Sequence, residues 1–156
     1  MKQAIFPVLF ALLAAPQMAA AQSVSECDWR ASAANMIEPW EKNTLSYSNG
    51  AVRVAALDTI DPAATPIHLL VLSPPADELG ARQCRIISSE GGQGFAFLDM
   101  SEFRAAYDPA KGLMFDVPVG IYIAEGHTVV RGLIVTLNQA TGGIETHFAT
   151  EREIGD

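Results

Sequence analysis

The chain has few basic residues and an excess of acidic ones. It contains 10 Lys and Arg against 18 Asp and Glu, a formal net charge of -8 over 156 residues. Binding to nucleic-acid phosphates and to anionic lipid surfaces depends on clustered Lys and Arg, so this balance argues against both classes of partner. Cationic partners remain open, whether basic proteins or metal ions.

Motifs that mark well-known reaction chemistries are also missing from the sequence. There is no Walker or dinucleotide-binding glycine loop, no Gly-x-Ser-x-Gly elbow, no His-Glu-x-x-His pair and no zinc-spaced group of cysteines and histidines. The glycine-rich run 91–94 has strand patterns on both sides and no following helix, which predicts a hairpin turn. Catalytic residues are therefore not assigned, and we expect neither a cofactor nor a bound metal.

The three histidines give little support to a shared metal site. His68 lies in an apolar run and is expected in the core or at a sheet edge. His127 and His147 each follow a glutamate by two residues, but a hairpin turn near Thr141 places His147 opposite position 134 or 135. The two imidazoles are then about seven residues apart along the strand, or about 23 Å.

The longest uncharged run lies at the N-terminus. Lys2 precedes the apolar residues 4–15, and small residues at 19–21 follow Pro16. This order predicts a secretory signal peptide over 1–21, which leaves a single soluble domain, 22–156, in the periplasm or outside the cell. A retained anchor is the alternative, but the run is shorter than the ~20 residues of a spanning helix. The charged Glu26 directly before Cys27 argues against lipidation of this cysteine. Cleavage of the signal peptide removes one lysine, so the net charge changes from -8 to -9.

Two cysteines, Cys27 and Cys84, are expected to form a disulfide in an oxidising compartment. They stand 57 positions apart, 84 minus 27, which excludes the Cys-x-x-Cys spacing of redox enzymes. Closing so long a loop stabilises a fold by about 4 kcal/mol in the chain-entropy description. Asp77, Glu78, Arg82 and Arg85 bracket Cys84 and form a candidate polar cluster beside the disulfide, the alternative being a solvated loop with local salt bridges.

A helix is predicted near the start of the mature chain. Apolar residues recur at helical spacing from Trp29 to Trp40, and Pro39 ends or kinks the helix. The two tryptophans are then expected on its core face, with a ligand-stacking pair as the alternative. A second, shorter helix is predicted over 101–107, where Pro109 stops it.

The rest of the chain has the pattern of short strands joined by turns. Asn49-Gly50 and Gly142-Gly143 predict hairpins, residues 67–72 form an apolar run typical of a central strand, and residues 113–123 alternate strictly. Pro118 predicts an edge or a bulge in the alternating strand. We expect a mainly β (α+β) fold, an antiparallel β-sandwich or half-barrel of about eight short strands, with an N-terminal helix and one short mid-chain helix.

Two classes of function are consistent with these observations. The first is an exported, soluble, non-catalytic binding or accessory protein of the cell envelope, its ligand unknown, in one version the partner of a basic protein. The alternative is a small periplasmic or secreted hydrolase whose site combines histidine with loop carboxylates such as Asp58 and Asp61. A pocket that holds a histidine of shifted pKa favours the enzyme, and a broad exposed apolar patch favours the binding protein.

Overall fold

The computed structural model describes residues 22–149. The predicted signal peptide, 1–21, lies outside the described residues, as does 150–156. The described part contains ten strands and one α-helix, α1 (Trp40–Asn43). The strands are β1 (Ser23–Glu26), β2 (Thr44–Tyr47), β3 (Val52–Asp58), β4 (Ile67–Ala76), β5 (Arg82–Ser88), β6 (Phe97–Leu98), β7 (Arg104–Asp108), β8 (Gly112–Ala124), β9 (His127–Leu137) and β10 (Ile144–Ala149).

These strands form two antiparallel sheets, which confirms the predicted mainly β fold. The first sheet has the order β1-β5-β4-β3-β2, so β4 is central, as its apolar sequence predicts. The second has the order β10-β9-β8-β6, and β7 also pairs with β8. The four-residue α1 is the α-helix of this part of the chain, and no helix in residues 22–149 is long and apolar enough to cross a membrane.

An apolar core joins the two sheets. In β8 every second residue from Leu113 to Val119 is buried on the same side, because alternate residues of a strand share a face. Fully buried side chains from four other strands complete this core: Val52, Val54, Leu69, Val71, Ile87, Leu133, Val135 and Leu137. Tyr47, Phe103 and Phe115 extend it with ring centroids 5.3 to 6.2 Å apart. Burial of this surface is the main source of stability.

Two of the predicted hairpins are confirmed. β2 and β3 pair through Tyr47 and Val52, and the turn between them places Asn49 and Gly50 at φ 54° and 87°, where these residue types are favoured. β9 and β10 pair with His147 opposite Ile134, the register expected from the turn. That register holds His147 far along β9 from His127, which stands at the strand's first position.

The helix predicted to begin near Trp29 and to end or kink at Pro39 is wrong. The segment instead forms two 3-10 turns, Trp29–Ala31 and Ala33–Asn35, before the short α1. Asp28 and Ser32 cap these turns, each accepting a hydrogen bond from the amide two residues later. Such local side-chain bonds offer the backbone an alternative to a continued helix, and here they outweigh the apolar spacing.

Trp29 and Trp40 are 67% and 51% exposed, so the core face predicted for them is also wrong. The segment lies along the outer face of the first sheet and covers a second, smaller apolar cluster. The strand residues of that cluster are Ala55, Leu57 and Leu70, with Leu72 and Cys84 against them, and the segment contributes Cys27, Ala31 and Met36. The predicted disulfide between Cys27 and Cys84 is present, with the Cα atoms 5.4 Å apart. We call residues 27–36 and the strand residues beneath them the outer layer.

The second predicted helix is wrong as well. Met100–Glu102 forms a single 3-10 turn, and the residues after it form β7. In β7, Ala105 lies opposite Phe115 and Tyr107 opposite Leu113, so the backbone of this segment pairs with β8. An apolar pattern of only four or five residues is compatible with a helix and with a strand. Here the segment forms a strand, because the backbone groups of β8 need hydrogen-bond partners.

The glycine-rich run 91–94 is not the predicted hairpin turn. β5 and β6 belong to different sheets, so the run crosses between them. After it, Phe95 exchanges two backbone hydrogen bonds with Ile67 of β4, at 2.7 and 3.1 Å. A Cβ atom on Gly94 would lie 2.2 Å from the carbonyl oxygen of Thr65, so the crossing requires glycine at this position. We call residues 91–94 the glycine loop.

Pro118 lies neither on an edge strand nor beside an irregularity of register. β8 pairs with β9 along its whole length, and the register shift in that pair falls beyond Tyr122. On its other side β8 pairs with β7 up to Asp116 and with β6 from Val119. On that side the Pro118 carbonyl accepts a hydrogen bond from the Asp99 amide, 3.0 Å away. Pro118 therefore lies at the gap between β6 and β7, where its lack of an amide hydrogen leaves no strand partner unpaired.

Candidate functional site

The four residues of the candidate polar cluster do not bond to one another: three bond to separate partners, and Glu78 is exposed. The Asp77 carboxylate closes its own turn by accepting from the amides of Leu79 and Ala81, at 2.9 and 2.8 Å. Glu78, next to it, is exposed. On β5 the Arg82 guanidinium donates at 2.9 Å to the Gly50 carbonyl, in the β2–β3 turn.

Arg85 donates to the carbonyl of Cys84 at 2.9 Å and lies 3.9 Å from the exposed carboxylate of Glu26. These contacts tie β5 to β1 and to the β2–β3 turn. A functional role for the four residues stays a prediction, since their contacts here are those of a turn and a strand edge.

His127 and His147 are both exposed, on different parts of the second sheet. His127 follows the tight turn at Glu125 and Gly126, whose φ angles are 50° and 81°. Across residues 22–149, no three His, Cys, Asp or Glu side chains come together in a group that could hold a metal ion.

A cavity of about 320 Å³ opens beside the outer layer. Its walls come from the turn that carries Trp29 and Arg30, from the β3–β4 connection that carries Asp61, and from the glycine loop. His68 of β4 lines it and is only 3% exposed, whereas Trp29 stands 67% exposed at its rim. The cavity therefore combines an accessible indole with a deeply buried imidazole.

Arg30 is fixed in this cavity by a forked pair with Asp28. Its Nε lies 2.9 Å from Oδ1 of Asp28 and its Nη2 lies 2.9 Å from Oδ2. The same guanidinium donates through Nη2 to the Ser25 hydroxyl at 3.1 Å and through Nη1 to the Ser88 hydroxyl at 3.4 Å. The hydrogen bonds from the Arg30 side chain to Asp28 lower the pKa of the Asp28 carboxyl below its ordinary 3.8.

The Ser88 hydroxyl that contacts Arg30 also forms a hydrogen bond with His68. Its Nδ1 lies 2.8 Å from Oγ of Ser88, and Ser88 itself is completely buried. Burial, and to a smaller extent the positive charge of Arg30, lower the pKa of the His68 imidazole from 6.5 to about 4, although Asp28 opposes the shift. The ring is therefore neutral at physiological pH.

The local sequence explains how these groups meet. Asp28 caps the first 3-10 turn and so turns Arg30 back over β1, while the adjacent disulfide holds the turn against β5. Ser25 and Ser88 then lie beneath the guanidinium, because β1 and β5 are neighbours in the sheet. His68 reaches the same hydroxyl from β4, on the other side of β5.

A pocket lined by Asp28, Asp61 and a histidine of lowered pKa meets the criterion that the sequence analysis set for an enzyme. A histidine of shifted pKa in a pocket is typical of enzymes, but an imidazole whose pKa is about 4 is a weak base at neutral pH. The hydroxyl beside it belongs to Ser88, which has no exposed surface for a substrate to reach. What the cavity does offer is a polar group at depth and an aromatic side chain at the entrance, a usual composition for a binding pocket.

Other cavities also open at the surface of the described residues. One, of about 490 Å³, lies by the β9–β10 hairpin and includes Lys111, Glu145 and His147, all exposed. Another, of about 400 Å³, is largely apolar and lies by Trp40 and Leu70. The His68 cavity differs from both in that a buried titratable side chain forms part of its wall, and burial of such a group needs a structural or functional reason.

Sequence reasoning expected His68 in the core or at a sheet edge, and it is buried on the central strand β4, but that reasoning missed the roles of Arg30 and Ser88. The sequence feature that could have indicated the role of Arg30 is the spacing Asp28-x-Arg30 directly after Cys27. It places an ion pair and a disulfide in the same turn. Comparison of the chain with protein-family models, with curated proteins and with solved structures found no match.

Proposed function

We propose that this chain is an exported, non-catalytic binding protein of the cell envelope that engages a basic protein partner. The predicted signal peptide and the disulfide support export, because disulfides persist in oxidising compartments. The net charge of -8 supports a cationic partner through charge complementarity.

The observation that carries this proposal is the entrance of the His68 cavity. Trp29, 67% exposed, shares that entrance with Asp61, whose exposed carboxylate bonds to no other group in the described part of the chain. Glu90, also exposed, directly precedes the glycine loop. An exposed indole and an exposed carboxylate that line the same cavity are a favourable place for a lysine or arginine side chain, through cation–π attraction and ion pairing.

Capture from an envelope extract tests the proposal. The mature protein, residues 22–156, is immobilised as wild type, as Trp29→Ala with Asp61→Asn, and as a control with Trp40→Ala and Glu125→Gln. Both control side chains are exposed and lie away from the His68 cavity, so the control removes one indole and one charge without touching the proposed site.

We expect wild type and control to retain the same basic protein, identified by mass spectrometry, and to release it at high salt. The double variant at Trp29 and Asp61 is expected to retain about tenfold less of it, the size of one ion pair and one cation–π contact together. Equal retention by all three proteins, retention only of acidic proteins, or no retained protein contradicts the proposal.

A further inference from the structure

The proton on the Ser88 hydroxyl fixes the tautomer of His68. The Arg30 guanidinium has donors only, so Ser88 Oγ accepts from Nη1 at 3.4 Å. Oγ has a second lone pair and could also accept from an Nδ1–H of His68, but its own proton would then lack an acceptor, so donation by the hydroxyl satisfies both groups. Within residues 22–149, the acceptor that lies within hydrogen-bond reach of it is Nδ1 of His68, at 2.8 Å.

A neutral His68 whose Nδ1 accepts a hydrogen bond carries its proton on Nε2. The ring is neutral at physiological pH because burial and Arg30 disfavour its charged form. No group in the described residues bonds to Nε2, although the residue is only 3% exposed and lines the cavity. The fold therefore orients one N–H donor on a residue that lines the cavity, where a molecule that enters can supply the acceptor.

We propose that Nε2–H of His68 binds a peptide carbonyl oxygen of the partner, while Trp29 and Asp61 take the basic side chain of the same or a neighbouring residue. This inference rests on the proposed function and specifies what the His68 cavity recognises. A neutral carbonyl fits better than a carboxylate, because Arg30 in the cavity lining is already paired with Asp28 and the remaining charged residue of the lining is the acidic Asp61. The cavity volume of about 320 Å³ accommodates one amino-acid residue and its flanking amide.

The test uses a blocked amino acid as the probe and the histidine ring nitrogens as the readout. Mature protein labelled with 15N in histidine is examined by NMR at pH 7, alone and with N-acetyl-lysine N-methylamide. We expect the Nε2–H tautomer for His68 in the free protein, and a shift of its Nε2 signal on addition of the probe. His127 and His147, which are exposed elsewhere, serve as internal controls whose signals stay unchanged.

Two further probes separate the parts of the recognition. N-acetyl-norleucine N-methylamide keeps the carbonyl and lacks the cation, so it is expected to shift the same signal with about tenfold weaker affinity. Acetate offers an anionic acceptor and is expected to leave the signal unchanged. A stronger response to acetate than to the lysine amide, or no response to either amide, overturns the proposal.

Ser88→Ala tests the orientation of the imidazole apart from binding. Without the Ser88 hydroxyl, Nδ1 loses its hydrogen bond, so its signal is expected to shift towards that of an unbonded ring nitrogen, with a larger share of the Nδ1–H tautomer than in the wild type. His68→Phe keeps a ring of similar shape and removes the donor, so it is expected to lose the response to both amides. An Nδ1–H tautomer in the wild-type protein contradicts the inference without any variant.

The two proposals fail in different ways. If no basic protein is captured but the lysine amide still shifts Nε2, the carbonyl site stands and the basic protein partner is wrong. If a basic protein is captured through Trp29 and Asp61 but the lysine amide does not shift the Nε2 signal of His68, the binding function stands and the carbonyl site is wrong.

Discussion

The core between the sheets and the outer layer are built by different physical means. Between the sheets, apolar side chains such as Phe115 and Leu133 are fully buried and meet no polar partner. In the outer layer, a disulfide, a forked ion pair and the hydrogen bonds of Ser88 hold a short irregular segment on the sheet. The first region supplies non-directional stability, whereas the second fixes positions, which a binding pocket requires.

Removal of the disulfide has the largest expected effect and acts on the outer layer. Cys27→Ser with Cys84→Ser opens a loop of 57 positions and should lower the free energy of unfolding by about 4 kcal/mol. Urea titration of the oxidised wild type and of the variant measures this difference. The wild type after reduction is the control for the substitutions themselves, and a loss under about 1 kcal/mol in both contradicts the expectation.

Truncation of matched leucines compares the two regions directly. Leu133→Ala in the core removes a fully buried side chain and should cost about 3 to 4 kcal/mol. Leu72→Ala in the outer layer removes a partly buried one and should cost about 1 kcal/mol. Thermal and urea unfolding measure both, and similar losses for the two variants would show that the outer layer is as tightly packed as the core.

Acid should weaken the outer layer through His68 before it affects the carboxylates. The folded-state pKa of about 4 lies below the 6.5 of an ordinary histidine, so the unfolded chain takes up the proton first as the pH falls. Stability is therefore constant above about pH 6.5 and decreases from there towards pH 4, by about 2 to 3 kcal/mol. The carboxyls of Asp28 and Asp99 have pKa values below 3.8, so their contribution is lost at still lower pH.

Urea titrations from pH 7 to pH 4 measure this loss, with His68→Gln as the comparison. The variant cannot take up a proton at this position, so its stability should vary less over the same range. If both proteins lose stability in parallel between pH 6.5 and 4, another group controls the acid sensitivity.

Loss of the guanidinium should have a smaller effect on stability and a clear one on titration. Arg30→Met keeps the apolar stem and removes the bonds to Asp28 and Ser88, at a cost of about 1 kcal/mol. The pKa of His68 should rise, because the positive charge of Arg30 helps to lower it, and the pKa of Asp28 should rise too. NMR titration measures both values, with exposed Arg53→Met as the control that leaves them unchanged.

Trp29→Ala should have the smallest effect on stability, within about 0.5 kcal/mol, since its side chain is mostly exposed. A tryptophan on a core face would cost about 3 to 5 kcal/mol on the same change. Urea unfolding therefore distinguishes the observed exposed position from the helix face that its spacing predicts. A loss in the larger range would place Trp29 in a packed environment.

The difference between the two regions also explains how far sequence reasoning reached. Period-two alternation identified β8, the apolar run identified β4, and turn residues identified the hairpins at Asn49 and Gly142. The irregular parts were misassigned: the segment with Trp29, the segment after Met100 and the glycine loop. Each of these has a short apolar or glycine-rich pattern compatible with two structures, and its real partner lies far away in the sequence.

The sequence by itself determined the strands of the core, the pairing of Cys27 with Cys84 and the acidic balance of the surface, because these depend on local periodicity, on an even number of cysteines and on composition. The tertiary structure alone decided that Arg30, Ser88 and His68 meet. Their contacts join the 3-10 turn Trp29–Ala31, β5 and β4 across up to 58 positions, and no local pattern encodes a hydrogen bond between residues so distant along the chain.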